Sequence, residues 1–366
     1  MEYTREERMT LWLTSVEGIG LKRYAMLMDI FGSAEAVWEN IDSPELALLG
    51  KPAAKKLRDA RDEGYIDGLL ERMEKSGTRA LIRGSADYPE LLDAIADPPP
   101  VLYARGSCPL NEERVFSIVG SRRATRDGKR AAREIASALA REGVTVVSGM
   151  ARGIDTAAHE GTLEAGGRTI AVFGCGADVI YPPENAELAA RVLDQGGAIL
   201  SEYPPGTQPN AGLFPARNRI ISGLTPGTLI VEGAKGSGAM ITIRDAEEQN
   251  RDVFAVPGSI YSSLSDMPNR LIVDGAKPVL SAWEILEYYR WAERPDSSAA
   301  PEKPSVTLTD EEKRIVEPLT EQPLGFEELV QITQISASRL NSHLTMLELR
   351  GIIEKAPGGM YRAYIK

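Results

Sequence analysis

Two cysteines, Cys108 and Cys175, and two histidines, His159 and His343, are all that 366 residues offer to disulfide or soft-metal chemistry. Neither a disulfide framework nor a Cys/His zinc site can be assembled from them. No apolar run approaches the roughly 20 residues that span a bilayer, and the opening MEYTREERMT is too polar for a secretory signal, so a cytoplasmic protein without a membrane segment is expected. Positive charge is also short: the net charge is -11. That balance excludes a protein that coats itself in nucleic acid, because phosphate binding is driven by cationic side chains that release counterions. No internal repeat is evident.

The length exceeds the roughly 100 to 200 residues of one hydrophobic core, so two or three domains are expected. Residues 1–77 read as short helices around the glycine turn in GIGLKRY, with Ser33 as the N-cap of one of them. From residue 78 to 292 apolar strands alternate with amphipathic helices such as RDGKRAAREIASALAREG. The strands are placed at Arg79–Ile82, Val115–Val119, Thr145–Val147, Thr169–Phe173, Ala198–Leu200, Thr228–Val231 and Asp252–Val256. Such alternation implies an α/β domain, a Rossmann-like doubly wound, mostly parallel sheet with helices on both faces. Residues 293–305, ERPDSSAAPEKPS, form a linker. Residues 306–366 carry two short helices, a longer one and a glycine-tipped hairpin, the pattern of a winged helix-turn-helix.

Local charge runs against the global balance. Between Gly120 and Arg133 the sequence GSRRATRDGKRAAR holds six basic residues against the single acid Asp127. In an open parallel sheet ligands bind beyond the carboxyl ends of the strands, where helix N-termini point outward. Glycine and basic segments fall at those ends. The first is Gly120-Ser121-Arg122-Arg123, where glycine lets backbone amides approach a phosphate and arginine supplies a forked donor. Ser148, Gly149, Arg152 and Gly153 repeat the ingredients after the next strand, and Lys235, Ser237, Gly238 and Met240 follow the strand TLIVEG.

In FPARNRIISG, Phe214 is placed to stack on an unpaired base, Arg217 and Arg219 to bind phosphates, and Asn218 to read a base edge or brace a loop. One of the two arginines is expected to pair with a carboxylate such as Glu202 or Glu232. Glu232 and Asp155 read as braces, Asp155 by capping a helix start. His159, four residues on, has neither a nucleophile nor a metal partner in view. The dinucleotide fingerprint fails: the first loop has one glycine, the second strand ends in Ser148, and Gly174-Cys175-Gly176 is followed by Tyr181-Pro182-Pro183 rather than a third glycine and a helix. GAKGSGAM places lysine before its second glycine, so the P-loop also fails. No cofactor is expected, and no catalytic constellation is visible.

In this order the segments SIVGSRRAT, SGMARGIDTAAH, FGCGADVIYPPEN, FPARNRIISGL, VEGAKGSGAMIT and VFAVPGSI resemble the DNA-processing protein A family, DprA or Smf, across residues 80 to 290. The resemblance implies a helix-hairpin-helix or SAM-like module before the core and a winged helix after it. It also implies a non-enzymatic homodimer that binds single-stranded DNA during natural transformation and loads the RecA recombinase onto it. The sequence departs from the family pattern at Pro183, where members often carry a basic residue, at Gly233 and Ile243-Arg244, and at Pro268, which puts the DNA path in question more than the fold. Two alternatives share the fold. Phosphoribohydrolases carry P-G-G-x-G-T-x-x-E, a pattern EGAKGSGAMIT lacks; a sensor of a small phosphorylated nucleotide would use the same edge. The third helix of the winged domain offers Ser336, Ser338, Arg339, Asn341 and His343 but few cations, and reads as a protein-interaction element.

Overall fold

A computed structural model describes residues 3–292, 308–356 and 359–363, so the expected linker 293–305 lies outside the described residues. The chain divides into two compact units, up to residue 294 and from residue 295. In the first unit nine strands form one sheet: β1 (Thr78–Ile82), β2 (Val101–Gly106), β3 (Val115–Val119), β4 (Thr145–Ser148), β5 (Thr169–Val172), β6 (Ala198–Ser201), β7 (Gly227–Ile230), β8 (Asp252–Ala255) and β9 (Lys277–Pro278). Their order is β1-β2-β6-β5-β4-β3-β7-β8-β9. From β6 to β9 every pair is parallel, whereas β2 is antiparallel to both β1 and β6.

The central strands VFSIV, TVVS, TIAV, AILS and GTLI are buried along their whole length, as a sheet covered on both faces requires. The hydroxyl of Ser117, in the middle of β3, shares hydrogen bonds with Thr225 (3.0 Å) and Thr228 (2.7 Å), so its burial leaves no orphan donor. Two strands, β2 and β9, lie outside the seven expected from the sequence. The run Asp97–Pro100 before β2 reads as loop, and β9 is a two-residue edge strand containing a proline, which periodicity cannot register.

Helix Arg126–Arg141 follows β3. Thr125 caps it, its hydroxyl accepting from Gly128 N at 2.9 Å, and Ala132, Ile135, Ala136, Leu139 and Ala140 make the buried stripe. It packs closely on helix Ile154–Glu164 because Gly161 faces its backbone: a β-carbon there would overlap Arg133 O. The N-terminal helices enclose their own core around Trp12 and Trp38, which meet edge to face at 4.9 Å. Leu11, Leu69 and Met73 join that module to Ala80, Val101 and Tyr103 of the sheet. In the GIG turn Gly18 has φ +96° and its carbonyl accepts from Arg23 at 2.6 Å.

The second unit is a winged helix. Helices Asp310–Glu321, Phe326–Thr333 and Ala337–Leu349 and the hairpin β10 (Ile353–Ala356) with β11 (Met360–Ala363) surround Ile315, Leu319, Leu329, Leu340, Leu344 and Leu347. Its third helix spends its charge internally: Arg339 (2.8 Å) and His343 (3.0 Å) both meet Glu311.

Phe116 is fully buried at the centre of the sheet and meets Phe254 edge to face at 5.4 Å. Phe116→Ala is expected to lower the unfolding free energy by about 3 to 5 kcal/mol, read from the urea midpoint of the core's transition.

Candidate nucleic-acid interface

At the carboxyl ends of β3, β4 and β7 the loops leave an open cleft of about 700 Å³, lined among others by Gly120, Ser121, Arg122, Arg123, Phe214, Asn218, Ser237 and Gly238. Its floor is built by close backbone approach. A β-carbon at Gly120 would lie 2.6 Å from Ile154 and 2.9 Å from Glu232 O, and one at Gly153, where φ is +85°, would overlap Ser121 O. The loops after β3 and β4 are therefore tied together, and Ile154 N donates to Ser121 O at 3.2 Å. Ser121 is itself a brace, accepting from Arg123 N at 3.1 Å. Arg122 and Arg123 are exposed above it.

Glu232 fixes this first loop. Its carbonyl accepts from Ser121 N at 2.7 Å, and its carboxylate accepts from Thr125 N (2.8 Å) and the Thr125 hydroxyl (2.6 Å). The carboxylate occupies the space a β-carbon of Gly128 would need, so glycine at that position is steric in origin.

Of the two arginines of FPARNR, Arg219 sits beneath the cleft, whereas Arg217, though buried, lines its floor. Arg219 forms a two-pronged pair with Glu202 (2.9 and 2.8 Å) and reaches Asp97 Oδ2 at 3.1 Å, which occupies the whole guanidinium edge. Arg217 donates to Gly149 O at 2.8 Å and to Val172 O, bridging the ends of β4 and β5. Burial draws its guanidinium down to about 10, with the nearby Asp155 carboxylate opposing the shift. Burial in turn pushes Asp155 up to about 6, against Arg217 and the amides of Ala151 and Gly149. Gly149 must be small because a β-carbon there would come within 2.8 Å of both Asp155 and Arg217.

Other residues expected at the site are also placed away from the cleft surface. The Ser148 hydroxyl is buried and donates to Ile118 O at 2.6 Å. Arg152 is exposed but paired with Glu184, and Met240 packs against the core. Lys235 is exposed at the neighbouring loop. His159 is fully buried, its Nδ1 2.7 Å from Thr169 Oγ1, and burial takes it down to about 3.

The cleft mouth carries a ladder that the sequence reading met only in part. Arg122 lies 5.6 Å from the centroid of the Phe214 ring, and Tyr181 lies 5.3 Å from Phe214 on the same wall. In the sequence Tyr181 marks only a segment that delays a helix, although the aromatic in YPPEN is a signal of its own. Thr125 was likewise missed, although its position before RDGKRAAR marks an N-cap. Opposite, Ser237 lines the cleft with a buried hydroxyl that has no hydrogen-bond partner among the described residues. Among the same residues no cluster of His, Cys, Asp or Glu has the geometry of a metal site, and no helix is long and apolar enough to cross a membrane.

A doubly wound sheet whose strand ends present glycine-lined loops, exposed arginines and a tilted aromatic pair defines a Rossmann-like protein with its open cleft at the carboxyl edge of the sheet. The chain belongs to the DNA-processing protein A (DprA/Smf) family: the profile described as DNA recombination-mediator protein A matches residues 79–290, and that of the DprA winged helix domain matches residues 299–359. It is 34% identical to Protein Smf of Synechocystis over 96% of this chain and 98% of the relative, and 42% identical to DNA processing protein DprA of Bacillus subtilis over 68% and 85%. Among solved structures it is similar to DprA of Streptococcus pneumoniae, with a TM-score of 0.63 and 33% identity over 78% of this chain and 98% of that one. It is also similar to DNA processing protein A of Helicobacter pylori, whose structure describes a single-stranded DNA binding mode, with a TM-score of 0.52 and 30% identity over 58% and 94%.

Because Asp155 titrates higher in the folded chain than its ordinary 3.8, the native state holds its proton more tightly than the unfolded state does. Stability from this group is therefore greatest below pH 4 and falls as pH rises through about 6. Relative to Asp155→Asn, the wild type is expected to lose on the order of 2 kcal/mol between pH 4 and pH 7 in urea titrations. A difference that stays flat or rises over that window would show that Asp155 is not desolvated.

Proposed function

We propose that the chain binds single-stranded DNA in this cleft and performs no chemistry on it. In this reading it acts in the cytoplasm as a homodimer that protects incoming DNA during transformation and hands it to the RecA recombinase. The observation that carries the reading is the ladder of Arg122, Phe214 and Tyr181 at the mouth of a glycine-lined cleft. Unpaired bases stack on aromatic faces whatever their identity, while an adjacent cation holds the backbone. The hydroxyl of Ser237, without a partner among the described residues, offers a donor to a phosphate; Arg122, Arg123 and Lys235 offer charge. Kinship with the Helicobacter pylori protein supports the same ligand.

In this scheme Arg217 and Arg219 act from below, holding strand ends and loops. The carboxylates that might serve an enzyme are engaged: Thr125 takes both oxygens of Glu232, and Arg219 takes both of Glu202. That disfavours the phosphoribohydrolase alternative. Single-strand affinity is assigned to the core and the winged helix to protein contacts, because Arg339, the one arginine or lysine of its third helix, is already paired with Glu311.

Fluorescence anisotropy with a labelled oligonucleotide tests the reading. Arg122→Glu should weaken binding at least tenfold, and Phe214→Ala should cost about 1 to 3 kcal/mol, roughly 5- to 150-fold. Affinity should fall steeply with salt, and mononucleotides should compete poorly. On DNA covered by single-strand-binding protein, the chain should speed RecA filament formation, and Arg122→Glu should lose that effect in step with binding. Unchanged affinity in a folded Arg122→Glu variant, or release of free base from nucleoside monophosphates, would overturn the proposal.

Removing residues 306–366 should leave single-strand affinity within a few-fold of the full chain. Loss of most of the binding would move the DNA contact to the winged helix.

A further inference from the structure

Beside the cleft lies a second open groove of about 410 Å³, between helices Arg126–Arg141 and Ile154–Glu164, lined by Arg126, Lys129, Arg130, Arg133, Thr156 and Glu160 together with Gly153 and Ala157. The four cations stand at spacings of three and four residues, which places them on one helix face. That face is opposite in character to the Ala132, Ile135, Ala136 and Leu139 stripe that enters the core. From Arg126 to Arg133 the face extends about 10 Å, room for roughly two backbone phosphates of an extended strand.

The groove and the cleft share a rim. Gly153 lines the groove and is pressed against Ser121 O of the cleft loop; Asp155 lines the cleft and Thr156, its neighbour, lines the groove. Arg122 and Arg123 are exposed on the cleft loop, and the backbone of Arg122 abuts Gly153 of the groove.

We propose that this groove is a second subsite, which holds the sugar–phosphate backbone of the same single strand where it leaves the cleft. The inference rests on the reading of the cleft as a single-strand site. No aromatic side chain lines the groove, so it offers bases nothing to stack on and acts on the backbone alone. The acids nearby do not close it. Arg130 pairs with Asp127 at 3.2 Å, and Arg133 with Glu160 at 3.1 Å and Glu164 at 2.6 Å, all between side chains a third or more exposed to water. Exposed pairs of that kind contribute about 0 to 1 kcal/mol each, and a guanidinium has donors enough to bind a phosphate while keeping a carboxylate.

The test compares oligo-dT of about 5 and about 20 nucleotides on the full chain by anisotropy across a salt series, using wild type, Arg126→Gln/Lys129→Gln, and Lys51→Glu on an N-terminal helix, an equal change of net charge, as a control for overall charge. Cations in the first turn of a helix oppose its dipole, so the double variant should keep its fold, which its melting curve checks. The expected result is about tenfold weaker binding of the long oligonucleotide, binding of the short one within twofold of wild type, and a salt slope for the long one lower by about 1.4, near 0.7 per lost contact. Equal losses on both lengths, no loss on the long one, or the same loss in Lys51→Glu would overturn the subsite. Wild type binding neither length would overturn the reading of the cleft itself, and that outcome is visible before any variant is compared.

Discussion

The cleft depends on a carboxylate that is removed from water. Glu232 follows β7, and both of its side-chain oxygens and its carbonyl are spent on the loop after β3. An ionised carboxylate in such a place is tolerable only if every lone pair it turns inward is met, and hydrogen bonds to a charged group contribute about 1.5 to 3 kcal/mol each. The loop from Gly120 to Thr125 thus has little freedom. Its backbone is set before any ligand arrives, and a ligand meets Arg122 and Arg123 already in place.

The same logic recurs one layer down. Arg219 is locked to Glu202 and Asp97, while Arg217 lies across the ends of β4 and β5 with Asp155 near it. Buried charge is a poor source of net stability, but removing one partner leaves the other stranded at a cost of about 3 to 5 kcal/mol. These groups therefore fix which conformation the strand ends adopt rather than how stable the whole is. Substitutions at Arg217 or Arg219 would act on the fold and on DNA binding together, which makes them uninformative probes of direct contact; Arg122, with its exposed head, separates the two.

Much of the architecture was legible because burial on both faces leaves an unmistakable mark: VFSIV, TVVS and TIAV carry no charge and few polar residues, and each is followed by a helix pattern. The antiparallel β2 was not, since VLYARG follows prolines and has no helix after it; its place is decided by pairing with β1 and β6, a non-local fact. The loops of the site were legible as glycine and arginine at strand ends. What sequence could not give was which arginine faces out. Arg122, Arg152, Arg217 and Arg219 are alike in composition, and only the positions of Glu184, Glu202 and Asp155 distinguish them. Ser148 shows the same gap: its place at a strand end suited a ligand, yet Ile118 O lies within reach and takes the hydroxyl.

A chain with a net charge of -11 and a polyanionic ligand is not a contradiction once distance is counted. At physiological ionic strength exposed charges are screened beyond about 8 Å, so acids of the core unit farther than that from the loops contribute little to the potential within the cleft. The local set is what a ligand would meet: Arg122, Arg123, Lys129 and Lys235 are exposed, Glu232 and Glu202 are already bonded, and Asp155, which lines the cleft, accepts from Ala151 N. For the proposed single-strand site, aromatic rings at the mouth have value only to bases free to leave their stack, which favours a single strand over a duplex.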